Sequence, residues 1–208
     1  MLAAPLFSIA PLRKARVGIL VTGTEVFQGI IEDKFIPVIR AKVQAYDCCV
    51  ARTEITPDDA GRITAAVEAM RAAGVDLLIT TGGLSVDPDD VTRLGLVGAG
   101  LTDILYGTPV LPGAMSLLGR IPAPGTGLSS PVQAQGDVYP LWQPGQGEMQ
   151  VIGVPACALY HKTTMFDILL PRCLAGRVID RAELAGMAEG GFCMNCKVCT
   201  WPKCFFAK

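Results

Sequence analysis

Apolar positions fall in short runs cut by glycine and polar residues, and their period alternates along the chain. Residues 17–22, VGILVT, are β-branched and end at Gly23, which predicts a buried strand. Residues 33–46 place Phe35, Ile39, Val43 and Tyr46 at near-helical spacing, with Pro37 tolerated in a first turn. Residues 48–55 predict a second strand. A helix follows, with Thr56 as N-cap, Pro57 at its first position, and Asp58 and Asp59 at its positive end; it stops at Gly74. Residues 76–81, DLLITT, predict a third strand, followed at once by Gly82 and Gly83. Helical spacing returns over 91–97, and residues 102–107 are compatible with a fourth strand. Residues 122–149, rich in Pro, Gly and Gln, predict a loop-rich insertion or a hairpin around 138–142. Residues 150–154 form another strand, and 157–174 a helix ended by Gly176. This alternation predicts the α/β class: a mostly parallel sheet with helices on both faces.

Composition narrows the functional classes. The chain has 208 residues, half of them hydrophobic, which suits one domain plus an appendage. Eighteen basic and nineteen acidic residues give a net charge of −1, so nothing points to nucleic acid or to a membrane surface. The apolar part of the N-terminus precedes its positive charges, the reverse of a secretory signal, and a cytoplasmic location is expected. Four of the eight cysteines, Cys193, Cys196, Cys199 and Cys204, lie near the C-terminus; Cys48, Cys49, Cys157 and Cys173 sit in apolar context and are expected to be buried thiols.

In a parallel sheet, ligands bind beyond the carboxyl ends of the strands. Residues 22–25, 80–90 and 153–157 are expected there. In TTGGLSVDPDDVTR, Thr81 ends the strand, Gly82 and Gly83 let the backbone approach a ligand, and Ser85 offers a hydroxyl. The following helix start suits an anion, and Asp87, Asp89 and Asp90 suit Mg²⁺; the alternative for these aspartates is helix capping. Glu25, taken as an isolated feature, is more often a solvated loop carboxylate. Neither a Walker loop nor a dinucleotide fingerprint is present, and no serine or cysteine has a histidine partner in a recognisable motif. The single histidine, His161, is assigned no role.

Together these segments resemble the molybdopterin-binding domain family, which includes molybdopterin adenylyltransferase and the catalytic domain of molybdopterin molybdenumtransferase. The resemblance runs from about residue 17 to 176. VTGTEVFQGIIEDKF is similar to the family's opening segment, TTGGLSVDPDDVTR to its central loop, LPGAMSLLGRI to its PGxP segment, and VIGVPACALYHKTTMFDILLPRCLAG to its terminal segment and helix. The resemblance implies binding of molybdopterin and nucleotide around Thr22, Gly23, Glu25, Thr81, Gly82, Gly83, Ser85, Asp87, Pro112, Gly113 and Pro155. It implies catalytic roles for Asp58 and Asp90, with Glu25 and Asp90 holding Mg²⁺ for ATP. Two departures stand out: residues 153–157, GVPAC, replace LPGNP, and DPDD replaces a glycine-containing turn. The chain also resembles a subgroup sharing DPDD and a cysteine-rich end.

The tail, GGFCMNCKVCTWPKC, spaces its thiols as C-x2-C-x2-C-x4-C after a Gly190–Gly191 junction expected to be flexible. Four soft ligands suit an iron–sulfur cluster or structural zinc, with unmetallated redox thiols as the alternative, and the centre is expected to be separable from the pterin site. Trp201, Phe205 and Phe206 are expected to dock the tail. The expected organisation is an incoming linker over 1–16, the α/β domain over 17–180 and the tail over 181–208. The expected function is adenylyl transfer to molybdopterin or molybdate insertion, a transferase step of molybdenum cofactor biosynthesis. The alternative is a non-catalytic module that carries the cofactor to a molybdoenzyme. Family resemblance further implies a homo-oligomer.

Overall fold

The computed structural model describes residues 9–84, 91–131 and 141–207. Six strands form one sheet: β1 (Arg16–Thr22), β2 (Cys49–Thr56), β3 (Leu77–Thr81), β4 (Thr102–Tyr106), β5 (Leu117–Ile121) and β6 (Met149–Val154). Their spatial order is β2-β1-β3-β6-β5-β4. The first four in that order are parallel, and β5 runs antiparallel to both β6 and β4.

The two-residue period of the strands sorts their side chains into two cores. Val17, Ile19 and Val21 of β1 join Leu77 and Ile79 of β3 on one face. Helices α2 (Phe35–Gln44) and α5 (Met165–Leu174) cover that face with Ile39, Val43, Phe166 and Leu169. Leu20 and Leu78 point the other way, beneath Ile63, Val67 and Leu96 of α3 (Ala60–Ala72) and α4 (Val91–Gly98). The expected α/β architecture with helices on both faces is therefore present.

Several local expectations are corrected. Thr56 ends β2 instead of capping α3; Asp59 is the N-cap, accepting the Arg62 N–H at 2.8 Å. Thr56 cannot start the helix because its carbonyl accepts the Gly23 N–H at 3.0 Å, whereas the Asp59 carbonyl is free to accept the first helical bond, from Ile63. The helix expected over 157–174 is broken. A short 3₁₀ turn, Ala156–Leu159, is followed by α5, which restarts at a capping box between Thr164 and Asp167. Strand β5 has no counterpart in the sequence reading, since Gly119 and Arg120 interrupt its apolar run. Most of the hairpin expected around 138–142 lies outside the described residues. Cys48 and Cys173 are buried as expected, but Cys49 is exposed and Cys157 half-buried.

Both flanking segments are tied to the domain. Arg13 pairs with Asp76 at 2.5 Å, and its backbone N–H reaches the Leu174 carbonyl. Past α5, helix α6 (Arg181–Gly186) and the 3₁₀ turn Met187–Gly190 add Leu184 and Met187 to the α2/α5 core, which Phe206 and Ala207 also enter. The glycine junction is packed, not flexible: Gly190 and Gly191 are buried, and a Cβ on Gly191 would lie 2.3 Å from the Pro109 carbonyl oxygen. No described helix is long and apolar enough to cross a membrane.

Candidate functional site

The chain order reverses at β1, with β2 on one side and β3 on the other, and this switch point opens beyond the strands' carboxyl ends. Gly82 leaves β3 there with φ 91°, and a Cβ on it would lie 2.0 Å from the Thr22 carbonyl oxygen. Only glycine satisfies both conditions. Thr22 is buried, and its hydroxyl lies 2.8 Å from that of Thr92 on α4, joining β1 to the helix that follows the central loop. Gly23 (φ 151°) then turns the chain into α1 (Thr24–Phe27).

A cavity of about 740 Å³ lies at this end of the molecule, within the range of small-molecule sites. Gly82, Gly83, Pro112, Gly113 and Pro155, all expected from the sequence, line it together. Gly113 (φ 122°) is held against α5: a Cβ there would lie 2.4 Å from that of Met165. Cys157, at the end of the expected 153–157 segment, also lines it, whereas Phe35, Met115, His161, Phe192 and Cys193 complete much of the wall and were not expected there. Nothing local in the sequence assigns these residues to one cavity. They reach the cavity from the start of α2, the approach to β5, the segment before α5 and the tail. His161 Nδ1 is buried without a hydrogen-bond partner among the described residues. Burial pushes the Cys157 thiol above its ordinary range.

The predicted carboxylates are placed differently. Asp58 Oδ2 accepts both the backbone N–H and the hydroxyl of Thr24, at 2.8 and 2.9 Å, and so ties the turn after β2 to α1. Glu25 is exposed in the first turn of α1. Neither lines the cavity, and Thr81 is buried at the end of β3. Ser85, Asp87 and Asp90 lie outside the described residues. Among the described residues, no three His, Cys, Asp or Glu side chains are grouped to hold a metal ion.

The tail adjoins this site. Cys193, Cys196, Cys199 and Cys204 line one small cavity of about 40 Å³ with Thr163 and Trp201. The Thr163 hydroxyl lies 3.3 Å from Cys199 Sγ, and this hydrogen bond holds that thiol below its ordinary range. Cys193 lines both cavities. Phe206 is buried as a docking residue, whereas Phe205 is exposed.

A switched parallel sheet with a glycine-walled cavity at its carboxyl edge defines an α/β ligand-binding domain. Residues 18–175 match the family model described as a probable molybdopterin binding domain, and the chain belongs to that family of molybdenum cofactor biosynthesis. A putative molybdenum cofactor biosynthesis protein from Corynebacterium diphtheriae superposes with a TM-score of 0.53 at 13% identity, over 79% of this chain and 99% of that one. The tungsten cofactor synthesizing protein MoaB from Pyrococcus furiosus superposes with a TM-score of 0.50 at 18% identity, over 73% and 88%. At these identities the likeness shows the fold. The CinA-like protein of Mycobacterium sp. (strain JLS) is 40% identical over 78 residues, 38% of this chain and 18% of that protein. The chain thus spans less than a fifth of the length of the curated relatives it matches.

Proposed function

We propose that this protein binds molybdopterin in the 740 Å³ cavity and acts on it in cofactor assembly, by Mg²⁺- and ATP-dependent adenylyl transfer or by molybdate insertion. The observation that carries this reading is the convergence of Gly82, Gly83, Pro112, Gly113 and Pro155 on one cavity beyond the parallel strands. The apolar walls formed by Phe35, Leu84, Met115 and Phe192 suit a planar heterocycle, and the backbone at Gly82–Gly83 suits an approaching phosphate. In this reading Asp90 and Glu25 hold the Mg²⁺, with Asp58 and Asp90 as the catalytic carboxylates. Phosphoryl-group chemistry needs positioning and charge neutralisation more than a covalent nucleophile. The tail thiols belong to the same reading as a soft-metal centre, iron–sulfur or zinc.

A second reading is a carrier that delivers the cofactor to a molybdoenzyme without turnover. It is favoured by the absence of any carboxylate from the cavity wall among the described residues, and by the engagement of Asp58 with Thr24. Calorimetry with molybdopterin, followed by a product assay with Mg²⁺-ATP and with molybdate, separates the two. Binding with turnover that Asp90→Ala abolishes supports the enzyme. Tight binding without turnover selects the carrier. No binding by the folded protein overturns both.

A further inference from the structure

The tail is fastened at both ends, and its first fastening is part of the large cavity. The Leu111 N–H donates to the Gly191 carbonyl at 2.6 Å, and the Cys193 N–H donates back to the Leu111 carbonyl at 2.8 Å. These bonds lay residues 191–193 along Leu111, directly before Pro112 and Gly113 of the cavity wall. The Pro112 carbonyl in turn accepts the Met165 N–H at 2.9 Å, at the start of α5. At the far end, the Ala207 N–H donates to the Gly190 carbonyl at 2.6 Å, and Phe206 is buried in the core. Between these fixed ends lie the thiols, with Cys196 and Cys199 exposed. Cys199 touches Thr163, which stands between His161 of the cavity and Thr164 of the α5 cap. The small thiol-lined cavity therefore shares Cys193 with the large one and takes Thr163 from the segment before α5, which walls the large one through His161.

We propose that a soft-metal centre held by Cys193, Cys196, Cys199 and Cys204 fixes the Phe192–Cys193 wall of the large cavity, so that the metal and the cavity's ligand bind with positive coupling. The identity of that ligand rests on the molybdopterin reading; the coupling does not. The four thiols line one cavity but do not stand grouped for coordination, so loading draws them together and releases their protons to solvent. Of the four, Cys193 alone lines both cavities. Its movement onto the metal is felt at the adjacent Phe192, which lines the cavity while 65% exposed. Coupling of this kind is reciprocal: a metal that tightens ligand binding is itself held more tightly when the ligand is bound.

The test uses the full chain stripped of metal by a chelator under anaerobic conditions. It is reloaded in one arm with Zn²⁺ and in the other with iron and sulfide, and compared with a Cys196→Ser/Cys199→Ser variant. Elemental analysis and visible absorbance identify the centre. Molybdopterin affinity and amide exchange at Leu111 and Cys193 read the wall. Loaded wild-type protein is expected to bind molybdopterin about 10-fold more tightly than stripped protein, within the usual span of coupling between sites. It is also expected to exchange the two amides more slowly. The variant should retain its fold, take up no metal and behave as stripped protein in both arms. Failure of wild-type protein to bind either metal overturns the centre. Metal bound with unchanged affinity and unchanged exchange overturns the coupling. If no form binds molybdopterin, the reading of the ligand fails, while the exchange data still decide whether the metal fixes the wall.

Discussion

Gly82 stands so close to the end of β1 that a Cβ on it would lie 2.0 Å from the Thr22 carbonyl oxygen. This approach lets the chain turn out of β3 at φ 91° and brings two strand ends together beneath the cavity. Gly82→Ala meets both the clash and the positive φ. It is expected to cost about 2–4 kcal/mol, a fall in Tm of roughly 5–15 °C. Ligand affinity should fall with it. Calorimetric unfolding checks the first effect and titration of the surviving fold the second. An unchanged Tm would show that the backbone relaxes freely here.

Gly95 sets the distance between α3 and α4. A Cβ on it would lie 2.6 Å from both Cβ and Cγ2 of Ile63, which is fully buried, and the Thr64 hydroxyl bonds the Gly95 carbonyl at 2.8 Å. In an exposed helix, alanine in place of glycine stabilises by up to about 1 kcal/mol. Here overpacking reverses the sign, and Gly95→Ala is expected to destabilise by about 1–2 kcal/mol. Urea denaturation reads this as a lower midpoint at constant slope. A higher midpoint would mean that the helices separate at little cost.

Glu148 is 4% exposed and gathers the strand-free region around β6. Its carboxylate accepts the Ser129 N–H and hydroxyl at 2.6 Å and the Gly145 N–H at 2.8 Å. Burial pushes its pKa up, but these hydrogen bonds, with help from Arg120, outweigh burial and hold it below the ordinary 4.5. A depressed carboxyl contributes stability above its unfolded pKa and loses it as pH falls through the folded pKa. Glu148→Gln should therefore cost about 1.5–3 kcal/mol near neutrality. The gap from wild type should close as the pH is lowered past the carboxyl's folded pKa. A gap that stays constant across an acid titration of Tm would contradict this.

Asp167 serves two elements at once. Its Oδ2 accepts the Thr164 N–H at 2.8 Å, completing the capping box of α5, while Oδ1 pairs with Lys42 of α2. The paired side chains are only 19% and 14% exposed, so solvent screens them less than a surface pair. Asp167→Asn is expected to cost about 1–2 kcal/mol. A double-mutant cycle with Lys42→Met should show a coupling of about 1 kcal/mol. Strict additivity would assign the whole effect to the helix cap.

The division between what the chain shows and what folding decides follows from the range of each interaction. Strands β1, β2, β3 and β6, and helices α2, α3 and α4, are legible because period and punctuation are local properties: VGILVT runs into Gly23, DLLITT into Gly82, and α3 stops at Gly74. Glycines directly after β3 announced Gly82 and Gly83 as ligand-facing for the same reason, whereas Gly113 was implied only by the family resemblance. Strand β5 was not legible, because LLGRI becomes a strand only when β4 and β6 pair with it on both sides. Nor was the true cap of α3, which depended on the Thr56 carbonyl being taken by the Gly23 N–H, thirty-odd positions away. The tail's four thiols were visible as a cluster in sequence. Their place beside the cavity was not, because it rests on bonds between Leu111 and residues 191–193, some eighty positions apart, and on Phe206 entering a core built by distant helices. Spacing records which residues share a short segment; only long-range packing decides which segments share a cavity.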